Sequence, residues 1–355
     1  MCAAETIIID GSEGEGGGQI LRTSMAFAAV CRVPVRIENI RGKRPRPGLA
    51  RQHLTAMKAI ARVTNGQMSG DELGSRRLEF VPQEIVGGHH EFRIGTAGSA
   101  TLVLQTILPA LLVADQKSTV VLEGGTHNQW APPVDFLEHA FLPLLCKMGA
   151  EVRCRLIRYG FHPAGGGRLE VEITPTRVLR GFDLQERGDL CRRHSRVLIS
   201  NLPGNIAERE QHRLVRKLRW KDSEVTIDPV PSSGPGNVIV VKLQFEHVTE
   251  VFTAFGRLGT SAEHVADEVV KDVTSYLGST APVGEYLADQ LLLPLALSAA
   301  GEGSHRGGSF RTTPLSQHSK TQMDIIRRFL PVEFEVRSTD EDCTVHVRPA
   351  SGSTS

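Results

Sequence analysis

The stretch "HSKTQ" (residues 318–322) sets an imidazole, an ammonium, a hydroxyl and an amide between Pro314 and the apolar run from Met323 to Phe329. That setting predicts that His318 opens a helix. A helix N-terminus disfavours imidazolium, which keeps the ring neutral and nucleophilic, and its free amides attract phosphate. A neutral imidazole attacking phosphorus gives a phosphoramidate, a covalent route that divides one difficult transfer into easier ones. In such chemistry Lys320 would neutralise a leaving pyrophosphate and Thr321 would donate a hydroxyl hydrogen. His127, in a glycine turn, and His305, in "GEGSHRGGS", are rival nucleophiles. The plain alternative is a surface or core histidine, the commoner role of this residue type.

A phosphate-transferring histidine needs anion-binding partners. "EGGGQILRTS" (15–24) runs three glycines into a helix, so backbone amides can approach an anion, and Arg22 follows Gly18 by about one turn. The GK[ST] ending of a P-loop is missing, and the plain reading is a tight turn. "IRGKRPRPGLARQH" (40–53) holds Arg41, Lys43, Arg44, Arg46 and Arg51 on a segment stiffened by Pro45 and Pro47, leading to Gln52 and His53 at a helix start. A rigid arginine loop is a local phosphate patch; its alternative is a solvated face. "EGGTHNQWAPPVDF" (123–136) reads equally as a site or as a loop around a buried Trp130, and "PAGGG" (163–167) reads as a hairpin turn. "YLADQ" (286–290) puts Tyr286 and Asp289 on one face of an apolar helix, as caps or as a pocket for adenine or ribose.

The elements that must position these groups come in a rhythm. Of 355 residues, 40% are hydrophobic, 35 are glycine and only 5% are aromatic, which suggests an α/β protein rich in tight turns. A glycine-marked apolar helix, a second helix and alternating strands recur three times, and Gly18 to Gln52, Gly98 to Pro132 and Gly284 to His318 are each 34 residues apart. Residues from about 180 to 280 break the rhythm with strands and helices of their own, an insert between the second and third repeats. The expected division is a large domain of residues 1–180 and 281–350, an inserted small α/β domain of 181–280, and a disordered tail of 351–355. The formal charge of +1 predicts no generally basic surface. Six dispersed cysteines without CxxC spacing argue against a zinc site or disulfide framework and for a reducing compartment. "MCAAETIIID" leaves no room for a signal core, and "ATLVLQTILPALLVA" is too short to span a bilayer, so the chain reads as soluble and cytoplasmic.

Taken together and in order, "EGGGQILRTS", "IR..R..PGL..QH", "TAGS...LQ" (Thr96 to Gln105), "EGGT...APP.D", "P.GGG", "EYLADQLLLPLAL" and a late H-x-x-T resemble the RNA 3′-terminal phosphate cyclase family, from the N-terminus to about residue 335. The resemblance implies an α/β (α+β) fold with a large domain of three βαβαββ-type repeats and a smaller inserted α/β domain, related to the enolpyruvyl transferases. It implies ATP-dependent conversion of an RNA 3′-phosphate to a 2′,3′-cyclic phosphate with Mg2+ or Mn2+, without a membrane or an obligate protein partner. It makes His318 the residue that takes AMP from ATP. Arg22, Arg41, Arg44 and Gln52 match phosphate and RNA-end ligands. Glu15 matches a carboxylate near the metal. Gln105, Pro132, Tyr286, Leu287, Ala288, Asp289 and Gln290 match the adenylate pocket.

This sequence departs from the family pattern at Gln322, where asparagine is common, at Tyr159, where arginine or histidine is favoured, and in a longer 301–311 segment. The alternatives are a cyclase-like protein of ribosome assembly that lacks the nucleophile, an enolpyruvyl transferase, and a non-catalytic RNA-end-binding module.

Overall fold

The computed structural model describes residues 5–14 and 17–351. Three of its four-stranded sheets share one plan. In the first, β1 (Ile7–Asp10) pairs parallel with β2 (Val35–Glu38), which pairs antiparallel with β4 (Leu78–Val81), and β3 (Gln67–Ser69) closes the edge. The helices α1 (Gly18–Cys31) and α2 (Arg51–Val63) cover it. Register places Ile9 and Ile37, and Val35 and Phe80, on the buried face, which is why β2 alternates apolar and polar in "VRIE".

The second unit repeats the order with β5 (Gly88–Arg93), α3 (Ala100–Leu112), β6 (Ser118–Gly124), then α4 (Val134–Phe136) running through a π turn at Leu137–Phe141 into α5 (Leu142–Lys147), and β7 (Glu151–Arg158) and β8 (Gly167–Thr174). Helix α3 is buried along its whole length except at Gln105, because it packs on α1 and α2 as well as on β6. Its Ser99 N-cap accepts from Leu102 N at 3.2 Å, and this fixes where the helix starts.

The third unit is interrupted. Its first strand, β9 (Phe182–Leu184), precedes a separate sheet of β10 (Leu190–Ser200), β11 (Val225–Pro229), β12 (Gly236–Phe245) and β13 (Thr249–Phe255), with helices α6 (Gly204–Leu218) and α7 (Ala262–Gly278) packed against it. The chain then returns through α8 (Glu285–Ala300), β14 (Gly308–Thr312), α9 (Gln317–Arg327), β15 (Val332–Ser338) and β16 (Cys343–Pro349). Because β9 pairs parallel with β14, the extra sheet interrupts the third unit after its first strand instead of preceding it. Residues 182–184, expected in the insert, belong to the third sheet.

Two connections, one half-buried and one buried, tie the extra sheet to the rest. Arg196 of β10 donates to Asp228 Oδ2 (2.6 Å), Asp135 Oδ1 (3.3 Å) and the Tyr159 hydroxyl (3.2 Å), so Tyr159 serves as an acceptor at this junction. Glu250 of β13 accepts from Gly284 N at 2.6 Å and so caps α8, whose own N-cap is a glycine without a capping side chain. The expected tail begins with an ordered residue, Ser351, whose amide and hydroxyl both donate to Glu333 Oε1; residues 352–355 lie outside the described residues. Among the described residues no helix is long and apolar enough to cross a membrane.

Phe310, at the centre of the third sheet between Leu184 and Val345, is fully buried. Phe310→Ala is expected to destabilise the protein by about 3–5 kcal/mol, read as a lowered urea midpoint at unchanged slope.

Candidate active site at the start of α9

His318 is the second residue of α9, half-buried, behind a Ser316 N-cap that accepts from Ser319 N at 3.1 Å. The helix and its start agree with the sequence expectation. Two of its neighbours do not face where expected. Lys320 is exposed, and the buried Thr321 donates its hydroxyl hydrogen back to Gln317 O at 2.9 Å. Thr321 also packs so closely on Gly14 that no side chain fits there, which locks the glycine-rich loop onto α9.

His318 lines a cleft with Gln19 and Arg22 of α1, Gln105 of α3, Asp289 and Gln290 of α8, and Gln322 of α9. Asp289 is the hub. Its Oδ1 accepts from Gln19 Nε2 at 2.8 Å and its Oδ2 from Gln290 Nε2 at 3.2 Å. Gln322 sets its amide 2.8 Å from the same Oδ1 and donates to it when its nitrogen faces the carboxylate. Gln105 in turn donates to Gln290 Oε1. Burial pushes the Asp289 carboxyl up to about 6, against the downward pull of His318, the Gln19 amide and Arg22. Burial likewise draws the Arg22 guanidinium down to about 10, with Asp289 opposing. The arrangement therefore holds an imidazole, a carboxylate and a guanidinium in one recess.

Below this polar mouth the wall is apolar, and it comes from two matching helix faces. Gln105, Leu108, Pro109 and Leu112 line one side; Gln290, Leu293, Pro294 and Leu297 line the other. The signal was present in the sequence as a repeated Q-x-x-L-P-x-x-L, in "QTILPALL" and "QLLLPLAL", and sequence reasoning passed over it. Proline has no N–H, so Pro109 and Pro294 deny the carbonyls of Gln105 and Gln290 their usual helical donor.

The arginine loop lies against the glycine-rich loop. Lys43 Nζ donates to Gly14 O at 3.3 Å, and a Cβ added at Gly17 would stand 3.1 Å from an Arg44 nitrogen. Arg41 is spent partly on structure, donating to Gly48 O at 2.9 Å, while Arg44 and Arg46 are exposed. Gln52 packs beside Gly98, and the buried His53 ring abuts Gly18 so closely that Gly18 admits no side chain. Burial, with Arg22 and Arg41 nearby, drives His53 down to about 3, so this histidine is neutral. The starts of α1, α2 and α3 thus meet through glycines.

Several expected residues stand elsewhere. Tyr286 is exposed on the first turn of α8. Leu287 and Ala288 are fully buried, so only their main chain could meet a ligand. Pro132, whose carbonyl accepts from Thr101 Oγ1 at 2.7 Å, is not among the residues lining the cleft. Glu15 lies outside the described residues, and among those described no three His, Cys, Asp or Glu side chains gather into a metal cage. Of the rival nucleophiles, His127 is buried with both ring nitrogens engaged, by Thr126 Oγ1 at 2.8 Å and Asp135 Oδ2 at 2.7 Å; His305 sits exposed in a surface loop. The glycines of "EGGT" and "PAGGG" serve close backbone contact, since a Cβ at Gly125 or Gly165 would strike Ala97. Trp130, which one of the two readings of this loop would bury, is exposed.

The RNA 3′-terminal phosphate cyclase family model matches residues 13–336. The chain is 47% identical over 338 residues to the RNA 3′-terminal phosphate cyclase of Koribacter versatilis, covering 95% of this chain and 93% of the relative. It is 46% identical over 329 residues to that of Ectopseudomonas mendocina, covering 92% and 94%. It is 44% identical over 344 residues to that of Salmonella enteritidis PT4, covering 97% and 99%. The crystal structure of the enolpyruvyl transferase NikO from Streptomyces tendae aligns with a TM-score of 0.37 at 11% identity, over 97% of this chain and 48% of that one.

A carboxyl whose folded pKa is raised from 3.8 to about 6 holds its proton longer in the folded state. Its contribution to stability is complete below pH 4 and is lost as pH rises towards 6. Asp289→Asn is therefore expected to raise stability at pH 7.5, by roughly 1–3 kcal/mol, and to gain little at pH 4. Urea titrations at the two pH values decide it; a variant less stable than wild type at pH 7.5 contradicts the burial account.

Proposed function

The chain belongs to the RNA 3′-terminal phosphate cyclase family, and from that premise we propose that it converts an RNA 3′-phosphate to a 2′,3′-cyclic phosphodiester at the expense of ATP, through AMP carried on His318. As a member of that family it is an enzyme, a ligase forming a phosphoric ester bond. The observation that carries the mechanism is the meeting of His318 with Asp289, Arg22 and Gln105 in one cleft, at a helix start that favours phosphate.

In this reading a His318 ring nitrogen attacks the α-phosphorus of ATP. The N–P bond forms, the bond to the β-phosphate oxygen breaks, and pyrophosphate leaves towards Arg22 and the arginine loop. Asp289, held by three amides, steadies the positive charge that the ring acquires. A phosphate oxygen of the RNA end then attacks the adenylate, and the N–P bond breaks to give an RNA–AMP anhydride. The neighbouring 2′-hydroxyl attacks the terminal RNA phosphorus, loses its proton and expels AMP, which closes the ring and requires RNA. The expected Mg2+ or Mn2+ would enter with the triphosphate and neutralise part of its charge. Gln105, Asp289 and Gln290 supply the polar edge for the adenosine. Tyr286 and Pro132, which do not line the cleft, would have to meet the base from outside it, and Leu287 and Ala288 could offer main-chain groups only.

Incubation with α-labelled ATP and a divalent metal is expected to leave an adenylate on the protein that acid breaks and alkali spares, as for a phosphoramidate. His318→Ala should abolish it; label that survives moves the nucleophile elsewhere. Arg41→Ala with Arg44→Ala should lower turnover of ATP or RNA ends by roughly ten-fold or more while the protein still unfolds cooperatively in urea, its midpoint lowered only by loss of the Arg41–Gly48 bond. Unchanged kinetics would remove those arginines from the site.

A further inference from the structure

Trp130 is 90% exposed, and its backbone lies at φ 68°, a left-handed conformation that a bulky residue rarely adopts. Folding gains nothing from an indole left in water, and that backbone would suit glycine or asparagine better. The loop around it is firmly held. Asn128 Nδ2 donates to Ala97 O, Ala131 N to Asn128 O at 3.4 Å, and Thr101 Oγ1 to Pro132 O at 2.7 Å. These bonds tie the loop to the start of α3, and one turn further along that helix Gln105 lines the cleft. The loop thus presents the ring to solvent beside the start of α3, the helix that carries Gln105 into the candidate active site.

Accessible aromatic rings beside such a site are what single-stranded RNA recognition uses, since every base offers a face to stack. A chain with a formal charge of +1 offers little general attraction to a polyanion, so stacking can supply affinity that charge does not. The other exposed aromatic near the cleft, Tyr286, stands on α8, the helix of Asp289 and Gln290, whereas Trp130 stands on the α3 side. We propose that the Trp130 indole is a stacking platform for an unpaired base near the 3′ end of the RNA substrate. This rests on the cyclase reading above.

The chain has two tryptophans, and the second, Trp220, is buried beneath Arg193 in the inserted sheet, so a change in indole emission on adding RNA reports Trp130. A short RNA with a 3′-phosphate, added without ATP, is expected to quench the emission of wild type but not of Trp130→Ala. The same substitution is expected to raise KM for that RNA roughly ten-fold, with Trp130→Phe restoring most of the loss. An RNA whose last three nucleotides are abasic should be handled equally by wild type and Trp130→Ala. Unchanged KM in Trp130→Ala, or quenching by ATP and not by RNA, overturns the proposal. Labelling of His318 by ATP, measured on the same preparations, separates the outcomes: protein that never labels sinks the cyclase mechanism, while protein that labels yet is indifferent to residue 130 sinks only the platform.

Discussion

The cleft is organised around one costly feature, a carboxylate removed from bulk water. Asp289 could have been placed on an exposed turn at no expense; instead it sits where burial raises its proton affinity and where its oxygens must be satisfied by protein groups. Three glutamine amides and the Arg22 charge do that, and they come from different parts of the chain. Gln19 and Arg22 belong to the first unit; Gln290 and Gln322 belong to the third, with Gln105 of the second unit bonded to Gln290. No single unit can assemble the site. The three units must pack helix against helix before the carboxylate has its donors, so their packing is a condition of the cleft.

The same helices explain how a polar site survives in so apolar a neighbourhood. Along α3 every residue but Gln105 is buried, and α8 is nearly as apolar. The two glutamines open the matching faces, and the prolines four residues later withhold a helical N–H from each glutamine carbonyl. A proline inside a helix ordinarily weakens it. Two at equivalent places, both lining the cleft, are the kind of local conflict that functional positions carry.

How much of this could be read from the sequence follows from the range of each interaction. The 34-residue rhythm was legible because it rests on local signals: Gly18, Gly98 and Gly284 mark helix starts, while Gln52 and His318 fall in the first turns of α2 and α9. The strands and helices of the insert were legible for the same reason. Where the insert enters was not, because that depends on the three-residue strand β9 pairing with β14 more than a hundred residues later. The glycine loops were legible as special, but not in their purpose. Gly18 is required by His53, and Gly125 and Gly165 by Ala97, and a sequence does not say what approaches a missing side chain. Asp289 was assigned to adenosine because of its neighbours in "YLADQ". Its contact with Gln19 spans 270 residues, and no spacing rule reaches that far.

Gln322 shows how such a long-range constraint explains a departure from the family pattern. The resemblance read from the sequence implies asparagine at this position, and at sequence level the extra methylene looks like a perturbation of the histidine's surroundings. In the structure the longer side chain is buried, and its amide reaches Asp289 across the gap between α9 and α8. Asparagine on the same backbone would stop about one carbon–carbon bond short, near 1.5 Å, enough to turn a 2.8 Å contact into none. With its nitrogen turned to the carboxylate, the glutamine gives α9, which carries His318, and α8, which carries Asp289, a shared hydrogen bond as well as a cleft. Two side chains divided between two helices are only as well aligned as the helices are, and this amide links one helix to the other beside the cleft.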